Sequence, residues 1–139
     1  MRILALDIGE VRIGLAISDV LGITANPIET YVRKKNDLAA DVAYIAALAR
    51  DRGAEKLVLG LPINMDGTEG ERVHKTRAFA EALSGVCPLP IDYQDERLTT
   101  VTAERVLIEQ GVRREKRKTV IDKVAATIIL RCYLDRYGR

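Results

Sequence analysis

The segment from Arg2 to Asp7 constrains the fold more than any other part of this chain, because it is almost wholly apolar and ends in an acid. A short, continuous apolar run predicts a strand that is covered on both faces, as a central strand of a sheet is. A carboxylate at the end of such a strand must be paired, ligated or placed at the edge of the sheet. We therefore expect helices on both sides of this strand and Asp7 at the point where it ends.

The rest of the chain predicts four further strands and four helices. Two β-rich runs, Val11–Ser18 and Ile23–Val32, follow through short connections, which indicates an antiparallel meander, with Pro27 weakening the start of the third strand. Later strands alternate with helices, which is typical of parallel pairing through right-handed crossovers. We expect an α/β fold, a five-stranded mixed sheet with helices on both faces, in a single domain over residues 1–139. The later predicted elements are a helix capped by Asn36 and ended by Gly53, strand Lys56–Leu59, helix Glu71–Leu83, strand Leu89–Tyr93, helix Thr99–Gln110 and helix Val120–Arg136.

The charge of the chain is small but uneven. The net charge is +2, yet residues 112–139 contain nine Lys or Arg and only three Asp or Glu. A basic C-terminal part can face a polyanion such as nucleic acid, although a solvated helix surface explains it equally well. No apolar run approaches the ~20 residues of a membrane span, so we expect no membrane partner. The absence of an export signal and the two widely spaced cysteines predict a cytoplasmic protein with reduced thiols.

Three acids occupy positions that favour one shared site. Asp7 ends the first strand and Glu96 follows the fifth, and α/β sheets bind ligands beyond the carboxyl ends of their parallel strands. Asp122 lies at the start of the last predicted helix, where Ala125 and Ala126 permit close approach to the sheet. Each acid also has a simpler possible role, as a hydrogen-bond acceptor in a turn, as an exposed turn residue, or as a partner of the helix dipole.

A metal gives these three acids a common purpose. Carboxylates that converge without basic partners repel one another, so the cluster is favourable only around cations. Oxygen-only ligands select hard ions such as Mg²⁺ or Mn²⁺, and two such ions about 4 Å apart serve in-line cleavage of phosphodiester bonds. We therefore predict that Asp7, Glu96 and Asp122 are catalytic residues and the ligands of a two-metal site.

Weaker signals surround these acids. Asn64 and Thr68 lie in a loop where they can hold a phosphate or orient a metal ligand, and Arg97 can pair with an acid or a phosphate. His74, the single histidine, lies on an exposed face of a predicted helix and receives no role. A basic run before the last helix predicts contact with substrate phosphates. Because its like charges repel, we expect it to be mobile without substrate, and the alternative is a solvated linker. This run contains Arg113, Arg114, Lys116, Arg117 and Lys118.

Four parts of the sequence resemble the YqgF family, whose members are described both as Holliday junction resolvases and as pre-16S rRNA nucleases. The resemblance covers essentially the whole chain, and the motifs occur in the order of the family. Glu10 stands where small or hydroxyl residues are common, but no motif is missing. The matching segments are Leu6–Gly9 with Arg12–Ala16, Gly60–Glu69, Asp95–Thr100 and Asp122–Leu130.

The resemblance implies a ribonuclease H-like fold, the same three catalytic acids, and trimming of the 5′ end of small-subunit ribosomal RNA precursors. Cleavage of four-way DNA junctions is the second expectation. The expected partner is therefore structured RNA or branched DNA, with ribosomal precursor particles as a further candidate. Arg12, Arg97 and Thr99 lie within the matching motifs and are candidate substrate-binding residues. A junction resolvase is expected to dimerise, whereas an RNA-trimming enzyme need not, so both a monomer and a homodimer remain open.

Two hypotheses lie outside the nuclease class. Actin-like sugar kinases and ATPases share this sheet topology and place an Asp-x-Gly turn after their first strand. They need a second subdomain and further nucleotide loops, for which 139 residues are too few. A catalytically inactive RNA-binding module is the other hypothesis, and the presence of all three acids argues against it. A nuclease assay with and without metal separates these hypotheses.

Overall fold

The computed structural model describes residues 1–97, 111 and 113–137, with the side chains of residues 114–123 outside that description. The strands are β1 (Ile3–Ile8), β2 (Arg12–Ser18), β3 (Ala25–Val32), β4 (Lys56–Leu61) and β5 (Ile91–Asp95), and the helices are α1 (Leu38–Asp51), α2 (Glu71–Ser84) and α3 (Arg114–Tyr137). The strands form one sheet in the order β3-β2-β1-β4-β5. β1, β2 and β3 pair antiparallel, whereas β4 is parallel to both β1 and β5. The predicted five-stranded mixed sheet and its antiparallel meander are confirmed.

β1 is the central strand, and its two faces contribute to two separate apolar clusters. Leu4 and Leu6 are fully buried in the cluster that α1 and α2 cover, through residues such as Val42 and Phe79. On the opposite face, Ala5 lies in the cluster that α3 covers. Alternation of side chains along the strand explains why consecutive residues enter different clusters. The apolar run at the start of the chain is therefore buried on both faces, as predicted, with helices on both sides of the sheet.

The third strand lies at the edge of the described sheet, where a proline costs least. Pro27 lacks the N–H group that a central strand would use in its ladder. The register of β2 and β3 shifts between Leu15, which pairs with Glu29, and Ala16, which pairs with Pro27. The strand begins at Ala25, two residues later than the predicted start.

Several predicted boundaries were wrong by a few residues, each for a local reason. Asp37 caps α1 and accepts a hydrogen bond from the Ala40 amide at 2.9 Å, whereas Asn36, the predicted cap, adopts a left-handed φ of 55°. β5 runs over Ile91–Asp95 instead of Leu89–Tyr93, because Pro90 cannot donate to the ladder. The predicted helix Thr99–Gln110 lies outside the described residues.

The last helix begins at Arg114, six residues before the predicted start at Val120. From Arg114 onward the basic run is thus the first part of α3, and the alternative of a linker that precedes the helix was wrong. Arg, Lys and Glu are good helix formers, and residues 114–119 contain no Gly or Pro that would end a helix. Asp122 therefore lies more than two turns inside α3, which rules out the first-turn role that its predicted position allowed. No helix in the described part of the chain has the length and apolar character to span a bilayer.

A buried acid fixes the turn that follows β1. Arg33 donates from Nε to Asp41 Oδ2 at 2.8 Å and from Nη1 to the Gly9 carbonyl at 2.9 Å. Burial raises the pKa of Asp41, but hydrogen bonds from Arg33, the Lys34 amide and Tyr31 outweigh it and hold that pKa below its usual value. The ionised carboxylate thereby connects α1 to the turn between β1 and β2, immediately beyond Asp7.

Candidate active site

Asp7 lies at the end of β1, on the face of the sheet that α3 covers. Its partner across the antiparallel ladder is Gly14. A Cβ built on Gly14 would lie 3.6 Å from Asp7 Cβ and 3.6 Å from Ala126 Cβ, so the three positions meet at one point. The small residues on β2 and α3 thus let the helix approach the strand that carries the acid, as the sequence predicted for Ala126.

Glu96 reaches the same face from the other side, through space that a glycine leaves open. Its backbone amide donates to the Leu61 carbonyl at 3.1 Å, which holds the residue just beyond β5. A Cβ on Gly60 would lie 2.5 Å from Ile129 Cδ1, 2.7 Å from Glu96 Cδ and 2.8 Å from Glu96 Oε2. Any larger residue at this position of β4 would therefore occupy the place of the Glu96 carboxyl group.

The electrostatic environment of Glu96 disfavours its charge. Burial, followed by the charge of Asp7 and then that of Asp95, raises its pKa from 4.5 to about 7, while Arg72 acts in the opposite direction. Its Oε2 atom is buried and accepts no hydrogen bond from the described residues. Asp7 lies beside Ala126 and Glu96 lies beside Ile129, on the same face of α3, and the charge of Asp7 acts on Glu96. The structure therefore brings these two acids to one end of the sheet.

Asp122 is placed by its backbone alone. It lies four residues before Ala126 in α3, on the continuation of the buried stripe formed by Ala126, Ile129 and Tyr133. Since Ala126 lies beside Gly14, the ladder partner of Asp7, position 122 is one helical turn from that point. Among the side chains that the structure describes, no three His, Cys, Asp or Glu residues form a metal-binding group. The predicted trio includes one side chain beyond that description.

The two described acids are suited to a hard cation. Their donors are oxygen atoms, and Glu96 presents an oxygen that no described hydrogen-bond donor satisfies. A buried carboxylate with a raised pKa gains from a positive charge beside it, because the cation removes the repulsion from its neighbour. Mg²⁺ and Mn²⁺ prefer such ligands, so the residues present fit the predicted metal.

A cleft of about 430 Å³ opens beside Glu96, and its lining includes Asn64, Arg72 and Arg97. Asn64 donates to Thr68 Oγ1 at 3.0 Å, and Thr68 in turn donates to Asp66 Oδ1 at 2.6 Å. These bonds order the loop between β4 and α2 around the cleft. Arg97 was predicted to pair with an acid or with a phosphate. In the structure it pairs with the acid Asp95 at 2.8 Å.

The other predicted substrate-binding residues do not share one location. Arg12 is exposed at the start of β2, and its carbonyl accepts the Gly9 amide at 2.8 Å. Arg113 is exposed just before α3, and His74 is exposed on α2. Thr99 lies outside the described residues. The backbone of Arg114, Lys116, Arg117 and Lys118 is helical, and their side chains lie outside the description.

Two residues of this site were missed by sequence reasoning. Gly60 belonged to a recognised motif, but nothing in the sequence shows that the Glu96 side chain, just beyond β5, lies against it. Arg72 is the second residue of α2, directly after the loop between β4 and α2, and that place was the available signal. The role of Gly60 depends on the register of β4 and β5, and that of Arg72 depends on where α2 lies relative to Glu96.

We predict that Gly60→Ala displaces the Glu96 carboxyl group, because the added Cβ overlaps both that group and Ile129. Overpacking of this kind costs about 1–3 kcal/mol of stability. Thermal melting with and without Mg²⁺ should show a lower Tm and a smaller stabilisation by the cation. Gly14→Ala is the matched control, since its Cβ meets only ordinary contacts at 3.6 Å. Equal behaviour of the two variants would contradict this account.

A second prediction concerns pH. The pKa of Glu96 in the folded protein, about 7, exceeds its ordinary value of 4.5, so the folded state favours the protonated acid. Its contribution is therefore largest at low pH and is lost as pH rises through 7. Relative to Glu96→Gln, the wild-type protein in chelator should lose up to about 3 kcal/mol of unfolding free energy between pH 5 and pH 8. Urea unfolding measures this, and Glu81→Gln, at an exposed acid on α2, is the control. A difference that does not change with pH would refute the prediction.

The similarity of this chain to known proteins extends over nearly its whole length. Residues 1–136 match the family model described as RuvX: Holliday junction resolvase. A Moorella thermoacetica protein named "Putative pre-16S rRNA nuclease" is 51% identical over 139 residues, which cover 100% of this chain and 98% of that protein. T. thermophilus RuvC, solved in complex with a Holliday junction substrate, superposes with a TM-score of 0.62 at 15% identity, over 99% of this chain and 96% of that one.

A third similarity concerns a larger protein. A ROK family protein from Streptococcus pneumoniae TIGR4, solved in complex with sucrose, has a TM-score of 0.51 at 18% identity, over 79% of this chain but 39% of that one. At such identities the structural similarities show the fold alone, and the match to RuvC confirms the predicted ribonuclease H-like architecture. Because the family model covers nearly the whole sequence and the curated relative is half identical, the chain belongs to the RuvX Holliday junction resolvase family, the YqgF family that its motifs resemble.

Proposed function

We propose that this protein is a divalent-metal-dependent nuclease that hydrolyses phosphodiester bonds in nucleic acid. The observation that carries the proposal is the juxtaposition of Asp7 and Glu96 at one end of the sheet, with Glu96 Oε2 buried and unsatisfied by described donors. A buried carboxylate beside a second negative charge is costly to a fold, and a cation bound at Glu96 removes that cost. Membership of a family described as resolvases and a half-identical relative named as a nuclease support the same activity.

The residues of the chain divide the work of such a reaction. Asp7 and Glu96, with Asp122 from α3, would hold Mg²⁺ or Mn²⁺ as ligands. When bound, two such ions supply an activated water and stabilise the leaving 3′ oxygen. Gly60 leaves open the space that the Glu96 carboxyl group occupies. The cleft that contains Asn64 and Arg97 would orient the phosphodiester backbone beside the acids.

We infer that RNA is the first substrate to test, in the 5′-end processing of pre-16S ribosomal RNA. The support is the name of the 51% identical relative, compared with 15% identity to the RuvC that was solved with a Holliday junction. A cytoplasmic location, ribosomal precursor particles as partners, and action as a monomer belong to this proposal. The family description favours a four-way DNA junction as the second candidate, for which a homodimer is expected. Cleavage of a precursor rRNA fragment and of a synthetic four-way junction, measured side by side, distinguishes the two.

We predict that Asp7→Asn, Glu96→Gln and Asp122→Asn each reduce cleavage by at least about 10³-fold, because each removes a charge from the metal site. Single-turnover cleavage measures this loss. Thermal melting should show folded proteins, and Glu96→Gln should be no less stable than wild type because it removes a disfavoured charge.

The same cleavage assay should be repeated with different divalent metal ions and with a chelator. Cleavage should require Mg²⁺ or Mn²⁺, stop in chelator, and be poorly supported by Ca²⁺, whose coordination is too loose for two-metal chemistry. Near-wild-type turnover in one variant would remove that residue from the site, and full activity in chelator would refute the mechanism.

The basic start of α3 generates a separate prediction. Neutralising Arg113, Arg114 and Arg117 together should weaken binding to all sequences alike, because phosphate contacts position the backbone without identifying bases. The slope of log affinity against log salt should change by roughly 0.7–0.9 for each phosphate that the variant no longer neutralises. Arg136→Gln is the control, since it is exposed near the other end of α3, about 33 Å away along the helix. An unchanged affinity and slope in the triple variant would show that this surface is only solvated.

A further inference from the structure

Arg72 lines the cleft beside Glu96, and the proposed reaction gives it no contact with substrate. It is the second residue of α2, and the cleft is lined on its other sides by Asn64, Arg97 and Glu96. The side chain is exposed, so its guanidinium group is accessible from solvent. An accessible cation at the wall of a cleft that contains a proposed catalytic acid is placed to meet an anionic substrate.

The neighbouring cations already have partners in the protein. Lys75 contacts Glu10 at 2.9 Å and Glu71 at 3.4 Å. Arg77, on the same helix, pairs with Glu69 at 3.0 Å, and Arg97 pairs with Asp95 at 2.8 Å. Arg72 differs from them, because it forms no hydrogen bond or ion pair with any residue in the described part of the chain.

The nearby acids that the structure describes do not form an ion pair with Arg72. The charge of Arg72 lowers the pKa of Glu96 and, as the last of several causes, that of Glu10, so it acts on acids on two sides. Glu10 is engaged by Lys75, and Glu71, adjacent in sequence, is engaged by the same lysine one turn along α2. The guanidinium group is therefore near enough to influence the site and remains available for a third group.

We propose that Arg72 binds a phosphate that flanks the scissile one in the substrate strand. The inference rests on the proposed nuclease function and names a contact of that same site. A planar guanidinium presents parallel N–H donors that match the nonbridging oxygens of a phosphate. α2 begins at Glu71 after Gly70, and this N-cap glycine has no side chain to cap the first amides, so the helix dipole adds to the attraction for the same anion.

The rest of the cleft fits the sugar and base that accompany such a phosphate. Pro62, Ile63 and Met65 also line the cleft, and Met65 is 69% exposed. A flexible thioether adapts to different flat partners, which suits contact with a nucleotide of any sequence. The cleft thus offers a cation to a backbone phosphate and apolar side chains to a base.

The test uses a short synthetic RNA and a set of derivatives, each with one phosphate replaced by an uncharged methylphosphonate. Wild type, Arg72→Ala, Arg72→Lys and the control Arg77→Ala are compared by single-turnover cleavage in Mg²⁺ and by binding in chelator. On the unmodified RNA, Arg72→Ala should weaken binding by about 10- to 100-fold, as expected for loss of a charged hydrogen bond. Arg72→Lys should restore part of this loss, and Arg77→Ala should bind as wild type does.

The decisive comparison is between positions along the RNA. If Arg72 contacts one phosphate, the penalty of Arg72→Ala should disappear on the one derivative that already lacks that charge and persist on all others. A penalty that is equal on every derivative, or no penalty at all, would overturn the inference. A position-specific binding penalty without cleavage by any protein would keep the Arg72 contact and refute the nuclease proposal. Cleavage by wild type with no effect of Arg72→Ala would support the nuclease proposal and refute the Arg72 contact.

Discussion

The burial of the Glu96 carboxyl group beside the charge of Asp7 is the constraint on which the candidate site depends. Asp7 lies on β1 and Glu96 just beyond β5, with β4 between these strands, and the Glu96 carboxyl group occupies space that Gly60 leaves open. The resulting arrangement disfavours the charge of Glu96, as its raised pKa shows. The fold tolerates this loss of stability because the apolar clusters on both faces of the sheet stabilise it elsewhere.

The two faces of the sheet have different roles in the structure. The face under α1 and α2 holds the larger apolar cluster, and its helices position the turn after β1 through Arg33 and Asp41. The face under α3 holds the smaller cluster and carries Asp7. At the far end of that face, Tyr133 donates to Asp92 Oδ2 at 2.8 Å, which anchors α3 to β5. The helix is thus anchored to the sheet near its C-terminal end, while Ala126 packs beside Asp7 and Gly14.

Much of this architecture was predictable because burial and periodicity are local signals. The run Arg2–Asp7 predicted a doubly covered strand, and its position at the centre of the sheet confirms that. The start of α3 was missed because like charges were given more weight than helix propensity. Gly60 and Arg72 could not be interpreted in advance, since their importance depends on which strands lie side by side. Sequence patterns identify the acids as candidates, whereas the space between the acids is a property of the register.

The outer strand β3 limits how copies of this protein can associate. Pro27 leaves β3 with one backbone donor fewer, and the shift of register beside it interrupts the regular spacing of the remaining groups. Strand addition between copies needs a regular edge, so this side of the sheet resists edge-to-edge pairing with another chain. An assembly of two copies would therefore use a surface other than the β3 edge, and this side of the sheet would stay confined to each subunit.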